Sequence, residues 1–292
     1  MAFNIQTFKT RSLTAAVFVV VMLAGLLLNY LSFFILFSII HFGCWMEYQK
    51  LIGLINKDYA EISVFHKYGV MIAGWCAMFY FSNNYTIFSV SLHIIGQWVG
   101  LVFLIVLPLL EVIFVRNINF KTIGYSLLGL LYISLSWGLL TNIRTMFTGD
   151  LVTDSIGVLL VMMIIGSIWI NDTMAYIVGS LIGKTPFSKI SPKKTWEGTI
   201  GGIILAIIVM SLVGYFVAGE FVWDNTIKWA TVAAISSIIG TIGDLLESKL
   251  KRIANVKDSG SILPGHGGFL DRFDSLLLAI PFVWLYIIFF MQ

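Results

Sequence analysis

Apolar runs about as long as a bilayer is thick recur from one end of this chain to the other, and they constrain its fold more than any other feature. Hydrocarbon offers no water to satisfy backbone N–H and C=O groups, so runs of this kind are expected as helices. At 59% hydrophobic residues, 11% charged residues and a mean hydropathy of +0.94, the 292-residue chain is too apolar for a soluble protein. The expected fold is an all-α polytopic membrane protein with about nine transmembrane helices. They fall near residues 12–30, 31–46, 68–82, 93–115, 122–142, 153–183, 198–219, 227–246 and 273–291.

The basic residues orient these spans. With the N-terminus cytoplasmic, sixteen of the eighteen Lys and Arg residues fall on inner segments and only Arg144 and Lys228 fall outside, which predicts a C-terminus on the opposite side. The first apolar stretch shows no small-residue cleavage site and reads as a retained span. Residues 1–292 are expected to form a single integral membrane domain. Within it, 1–150 supply N-terminal helices, as scaffold, lipid groove or homodimer contact, and 151–292 carry catalytic helices with cytoplasmic motifs at 184–198 and 243–274. Cys44 and Cys76 sit in apolar spans without a CxxC or Cys/His pattern, so core packing is their expected role. The net charge of +3 suits an anionic leaflet, and no basic, aromatic platform for nucleic acid is present.

Against this apolar background, residues 243–274 read GDLLESKLKRIANVKDSGSILPGHGGFLDRFD and gather five of the fifteen acids and five of the eighteen bases. A solvated cytoplasmic loop is one reading of such a run. A site for phosphate and metal is the other, because carboxylates ligate Mg²⁺ while Lys and Arg neutralise phosphate. Spacing favours the second. Asp244 with Ser248, and Glu247 with Lys251, are four apart and share adjoining helix faces. The run Pro264-Gly265-His266-Gly267-Gly268 cannot continue a helix and permits a turn whose amides approach an anion. Asp271 and Asp274 then open the next span.

From Ser248 to Asp274 the chain follows S-x-L-K-R-x4-K-D-x-G-x2-L-P-x-H-G-G-F-x-D-R-F-D, which resembles the signature of phosphatidate cytidylyltransferases, also called CDP-diacylglycerol synthases. Ser191-Pro192-Lys193-Lys194-Thr195-Trp196-Glu197-Gly198, followed by Gly201-Gly202, is similar to that family's other motif. Asn171-Asp172-Thr173-Met174-Ala175-Tyr176 resembles its intramembrane Asp-Thr-x-Ala-Tyr segment. The resemblance covers residues 160–290, and the first 150 residues match only as a string of apolar spans.

The resemblance implies that phosphatidate and CTP give CDP-diacylglycerol and pyrophosphate with Mg²⁺, for phospholipid biosynthesis at a bacterial inner membrane, with the active site facing the cytoplasm. It implies Asp244 and Asp271 as metal ligands, with Glu247 and Asp274 as further candidates, and it leaves room for a second cation such as K⁺. The catalytic candidates are Asp244, Asp271, Asp274, Lys251 and Arg252. Candidates for holding CTP and its phosphates are Asp172, Ser191, Lys193, Lys194, Thr195, Glu197, Ser248, Lys257, Asp258, His266 and Arg272. Asp172 lies near the middle of a long apolar run, where a carboxylate is costly and is expected to face a polar cavity; a helix break that leaves it solvated at the membrane edge is the other reading. Ser191 or Thr195 can serve as a helix N-cap, which is compatible with anion binding. Trp196 reads as an interfacial belt residue or a nucleotide contact, the belt being the default. A polyprenol kinase or an ether-lipid cytidylyltransferase is the alternative enzyme, and a transporter is the remote alternative.

Overall fold

The computed structural model describes residues 5–83, 85–87, 89–114, 119–147, 151–217, 223–262 and 267–291. In chain order the helices are α1 (Ile5–Leu27), α2 (Tyr30–Ile55), the single turn α3 (Lys57–Ala60), α4 (Val64–Tyr80), α5 (Leu92–Phe114), α6 (Phe120–Gly129), α7 (Leu135–Thr145), α8 (Leu151–Ile182), α9 (Trp196–Val217), α10 (Trp223–Ile253) and α11 (Leu270–Phe290). A two-residue antiparallel hairpin, β1 (Thr86–Ile87) with β2 (Val90–Ser91), precedes α5, and a π-helical turn at Leu130–Ser134 joins α6 to α7. Among the described residues, seven helices are long and apolar enough to cross a membrane: α2, α5, the continuous α6–α7 rod, α8, α9, α10 and α11. The described apolar part of α1 is Leu13–Leu27, and α4 has 17 residues, so both are shorter. The protein is therefore an all-α polytopic membrane protein, and each of the nine expected spans coincides with a helix.

The helices outrun the apolar signal. α2 continues to Ile55, although its apolar run fades at 46, and α10 continues to Ile253 past 246. Apolarity marks where a helix meets lipid, whereas the helix itself persists until its backbone is capped; the end of α2 is closed by the Asn56 N–H bonding to the Ile52 carbonyl, 2.8 Å away. This extension places Asp244, Glu247, Ser248 and Lys251 on the last turns of α10 as regular helix.

The chain divides into two compact units, Met1–Thr148 with Ile253–Phe273, and Gly149–Arg252 with Asp274–Gln292. In the first unit α2 is the buried centre. Asn29 caps it with a reciprocal pair of bonds to Ser32, and its aromatic side chains pack in tilted pairs, Phe33 with Phe37 and Phe37 with Trp137 of α7, with ring centroids 4.7 and 5.1 Å apart. Some buried polar groups pair across helices. Trp45 donates to Ser134 Oγ in the π-turn at 2.8 Å, and His41 Nε2 lies 3.1 Å from the same oxygen.

In the second unit α8 and α9 form a close-packed hairpin. A Cβ at Gly198 would sit 2.6 Å from the Ala175 carbonyl oxygen, and one at Gly202 2.6 Å from that of Asn171. The glycines of the Trp-Glu-Gly-Thr-Ile-Gly-Gly run therefore let two helix backbones approach where any side chain would hold them apart. Gly243 does the same for α10 against the Asp274 carbonyl of α11, also at 2.6 Å.

Candidate active site

A cavity of about 450 Å³ opens within the second unit. α8 contributes Asn171, Asp172, Tyr176 and Ser180; the loop after α8 contributes Ser191, Lys193, Lys194 and Thr195; α9 contributes Thr199, and α10 contributes Thr241 and Asp244. Three stretches, 171–180, 191–199 and 241–244, thus share one polar hollow, and six of the sequence-derived candidates line it. Asn171 is 3% exposed and donates to Thr241 Oγ1 at 3.3 Å, which ties α8 to α10 behind Asp172. Asp172 is exposed and lines the cavity, as the cavity-facing reading expects.

Lys194 forms an ion pair with Asp244, whose other oxygen accepts from Ser248 Oγ at 3.3 Å. Burial pushes the Lys194 ammonium below the ordinary lysine range. Asp172 and Asp274 partly offset that shift, while Lys251 adds to it. Lys251 itself pairs with buried Glu247 one turn away on α10. Asp274, 7% exposed, accepts from the Ser275 amide at 2.6 Å. The charged side chains that line the cavity, Asp172, Asp244, Lys193 and Lys194, are therefore of mixed sign.

The loop carrying Lys193 and Lys194 is held in a fixed shape. Glu197 accepts from the Lys184 and Thr185 amides, each at 3.2 Å, and from Thr185 Oγ1 at 2.9 Å. Its carboxylate braces the loop from the first turn of α9. Thr195 is the N-cap, accepting from the Gly198 amide at 3.2 Å, so the positive end of the α9 dipole points toward the lysines. Trp196 packs edge-on against Phe187, 4.5 Å between centroids.

In the first unit, the segment between α10 and α11 folds around two carboxylates. Asp271 Oδ2 accepts from the Ser259 amide (2.9 Å), Ser259 Oγ (2.9 Å) and the Gly268 amide (2.8 Å). Gly267 has φ +84°, and a Cβ there would lie 2.5 Å from Asp271 Oδ2, so only glycine closes this turn. Lys257, Asp258 and Arg272 lie on the exposed side of this segment, and Arg252 on the exposed end of α10. His266 lies outside the described residues.

Glu47 was not among the candidates read from sequence. Although it sits on α2 beyond the apolar run, it is only 5% exposed. It accepts from Ser259 Oγ at 2.7 Å and from the Phe269 and Leu270 amides at 2.9 and 2.8 Å. The available signal was a lone acid directly after Cys44-Trp45-Met46, on a helix that does not stop there. Thr199 and Thr241 were also missed, since a threonine in an apolar span usually bonds its own helix, as Thr241 does to Ser237.

The donor set suits Mg²⁺. Asp172 and Asp244 line one cavity with the hydroxyls of Ser191, Thr195, Thr199 and Thr241, all hard oxygen ligands. Among the described residues no group of three or more His, Cys, Asp or Glu side chains is gathered closely enough to hold an ion alone. That is the usual situation for Mg²⁺, which fills its shell from one or two carboxylates, substrate phosphates and water.

Comparison with known proteins gives a match to the cytidylyltransferase family model over residues 9–290. A phosphatidate cytidylyltransferase of Bacillus subtilis is 36% identical over 187 residues, 62% of this chain and 65% of that protein. One of Staphylococcus haemolyticus is 50% identical over 115 residues, 39% of this chain and 43% of that protein. One of Rickettsia typhi is 38% identical over 169 residues, 56% and 71% of the two chains. The aligned segment thus spans less than two thirds of the first two relatives.

Proposed function

Because the chain belongs to the cytidylyltransferase family, we propose that it transfers CMP from CTP to phosphatidate, giving CDP-diacylglycerol and pyrophosphate, on the cytoplasmic face of a bacterial inner membrane. The observation that carries this reading is the convergence of Asp172, Ser191, Lys193, Lys194, Thr195 and Asp244 on one cavity. Relatives bearing the name phosphatidate cytidylyltransferase, 36–50% identical over the segments described above, support the choice of substrate.

The chemistry asks for little beyond positioning and charge. A phosphate monoester loses its second proton near pH 6, with a pKa of about 6, so phosphatidate arrives as a dianion and needs no dedicated base. One of its oxygens bonds to the α-phosphorus of CTP while the bond from that phosphorus to the β-phosphate bridging oxygen breaks, and pyrophosphate leaves with the electron pair. Lys193, Lys194 and the N-terminus of α9 receive the polyphosphate, and Lys251 and Arg252 add positive charge. Phosphate drawn to Lys194 competes with Asp244 for the ammonium, releasing a carboxylate as the substrate binds. Asp244 and Asp172, which line the same cavity, would hold Mg²⁺ there, and the sequence resemblance adds Asp271 as a metal ligand. Bound there, the ion would neutralise the phosphate charge that develops on the way to pyrophosphate.

The test is transfer of label from CTP radiolabelled in its α-phosphate into chloroform-extractable lipid by purified protein with phosphatidate and Mg²⁺. Wild type should form labelled lipid. Asp244→Ala and Asp271→Ala should lose it by about 100-fold or more, as expected when groups that stabilise transition-state charge are removed. Release of CDP without labelled lipid would instead identify a lipid kinase, and no nucleotide turnover would overturn the enzyme reading.

A further inference from the structure

We propose that Glu47 is a positioning residue for Asp271, reaching from α2 to fix the segment between α10 and α11 so that the Asp271 carboxylate stands ready for a cation. A helix cap alone does not account for its bonds. Glu47 Oε1 and Oε2 take the Phe269 and Leu270 amides, which would satisfy the start of α11, and Oε2 also takes the Ser259 hydroxyl from the far end of the segment. Ser259 in turn bonds Asp271 Oδ2 through both its amide and its hydroxyl. The hydroxyl has one proton to give and two carboxylates within 2.7 and 2.9 Å. When Ser259 gives it to Glu47, Asp271 Oδ2 keeps the Ser259 and Gly268 amides, so its orientation survives the exchange.

The backbone is shaped to this carboxylate. A Cβ at Gly260 or at Gly268 would come within 2.2 Å of a Glu47 oxygen, so the segment closes on Glu47 from both sides, and side chains at those positions would push it out. Partners that hold a ligating carboxylate typically tune metal affinity as much as they tune structure. Glu47, Ser259, Gly268 and Asp271 all lie in one compact unit. The arrangement joins an N-terminal helix that shows no motif of its own to a residue of the most motif-rich segment.

This inference rests on the proposal that Asp271 ligates the metal, so its test reads metal binding and backbone protection separately from turnover. Purified full-length Glu47→Gln, Glu47→Asp and Ser259→Ala are compared with wild type. Mn²⁺ binding is followed by electron paramagnetic resonance without substrates, together with amide exchange over residues 254–271 and the Mg²⁺ and CTP dependence of CMP transfer. Glu47→Gln keeps the size but replaces one acceptor oxygen with a donor. It should weaken Mn²⁺ binding and raise the half-saturating Mg²⁺ by about 10–100-fold, with the CTP KM at saturating Mg²⁺ changed far less. Glu47→Asp, which keeps both acceptors, should recover part of the loss. Ser259→Ala should weaken Mn²⁺ in the same direction and expose the Gly268 amide to exchange. Folded Glu47→Gln and Ser259→Ala with wild-type Mn²⁺ affinity and Mg²⁺ dependence would overturn the proposal. Should wild type bind Mn²⁺ through this network and yet transfer no CMP, the proposed function would fail and the role of Glu47 would stand.

Discussion

Lys194 answers two opposing demands at once. On the proposed function it must be charged to attract phosphate, yet it lies in a partly closed cavity where an ammonium is poorly solvated, and burial lowers its pKa more than Asp172 and Asp274 raise it. The sign follows directly. A base whose folded pKa lies below its unfolded value binds fewer protons when folded, so the cost of holding it charged is fully present below the folded pKa and is relieved as pH rises toward the ordinary lysine value. For activity the same shift means that the charge is lost earlier on the alkaline side than for an exposed lysine. Lys194→Arg, whose guanidinium stays protonated, should therefore extend the alkaline limb of the pH–rate profile upward while lowering the maximum rate, because a planar fork does not reproduce a point charge. A profile of kcat/KM for CTP between pH 6 and 10 checks this, and an unshifted alkaline limb would count against a role for the Lys194 charge. Lys194 and Asp172 were legible in the sequence because charge is rare in so apolar a chain. Glu47 was not, because its partners are backbone amides more than 200 residues away, and no local spacing encodes them.

At the scale of helices, the contrast between two glycines separates packing from flexibility. Gly198 lies where α9 meets α8, with the Ala175 carbonyl oxygen and Gly179 Cα 2.6 and 2.9 Å from where a Cβ would sit, whereas a Cβ at Gly124 on α6 would meet nothing within 4 Å. Gly198→Ala should destabilise the protein by about 1–3 kcal/mol through overpacking and, by shifting the start of α9 against the cavity, raise the KM for CTP. Gly124→Ala should leave activity unchanged and stabilise by up to about 1 kcal/mol through helix propensity. Thermal unfolding in detergent together with CTP titrations distinguishes the two, and equal behaviour would refute the close-approach role. The hairpin itself was readable from two apolar runs around a basic, Pro-containing loop. Its closeness was not, because Gly198, Gly201 and Gly202 lie inside the run read as the span 198–219, and nothing in that run says which backbone packs against them. Likewise the ends of α2 and α10 ran past their apolar stretches, since the hydropathy signal reports contact with lipid and is silent on where hydrogen bonding stops.

For the molecule as a whole, the distribution of basic residues predicts a side of the membrane for every connecting segment, and α4 is the segment on which that map turns. Its 17 residues are short for a bilayer of about 30 Å at 1.5 Å per residue, yet a helix of this length can cross where the bilayer thins or flanking side chains reach the interface. If α4 crosses, Lys57 before it and Asn83 after it face opposite compartments; if it lies within one leaflet, they face the same one. Both positions are exposed, so each can be read by labelling. In a background with Cys44 and Cys76 replaced, single substitutions Lys57→Cys, Asn83→Cys and Lys189→Cys are exposed to a membrane-impermeant maleimide in intact cells and again after permeabilisation. Crossing by α4, with the N-terminus cytoplasmic, predicts that Asn83→Cys is labelled in intact cells and the other two only after permeabilisation. Labelling of both Lys57→Cys and Asn83→Cys from one side would remove α4 from the set of spans. Labelling of Lys189→Cys from outside would reverse the orientation and turn the Lys193–Lys194 loop away from the compartment that holds CTP. The proposed chemistry and the topology are thus tied together, because a loop that takes CTP as proposed fixes which way the bundle must face.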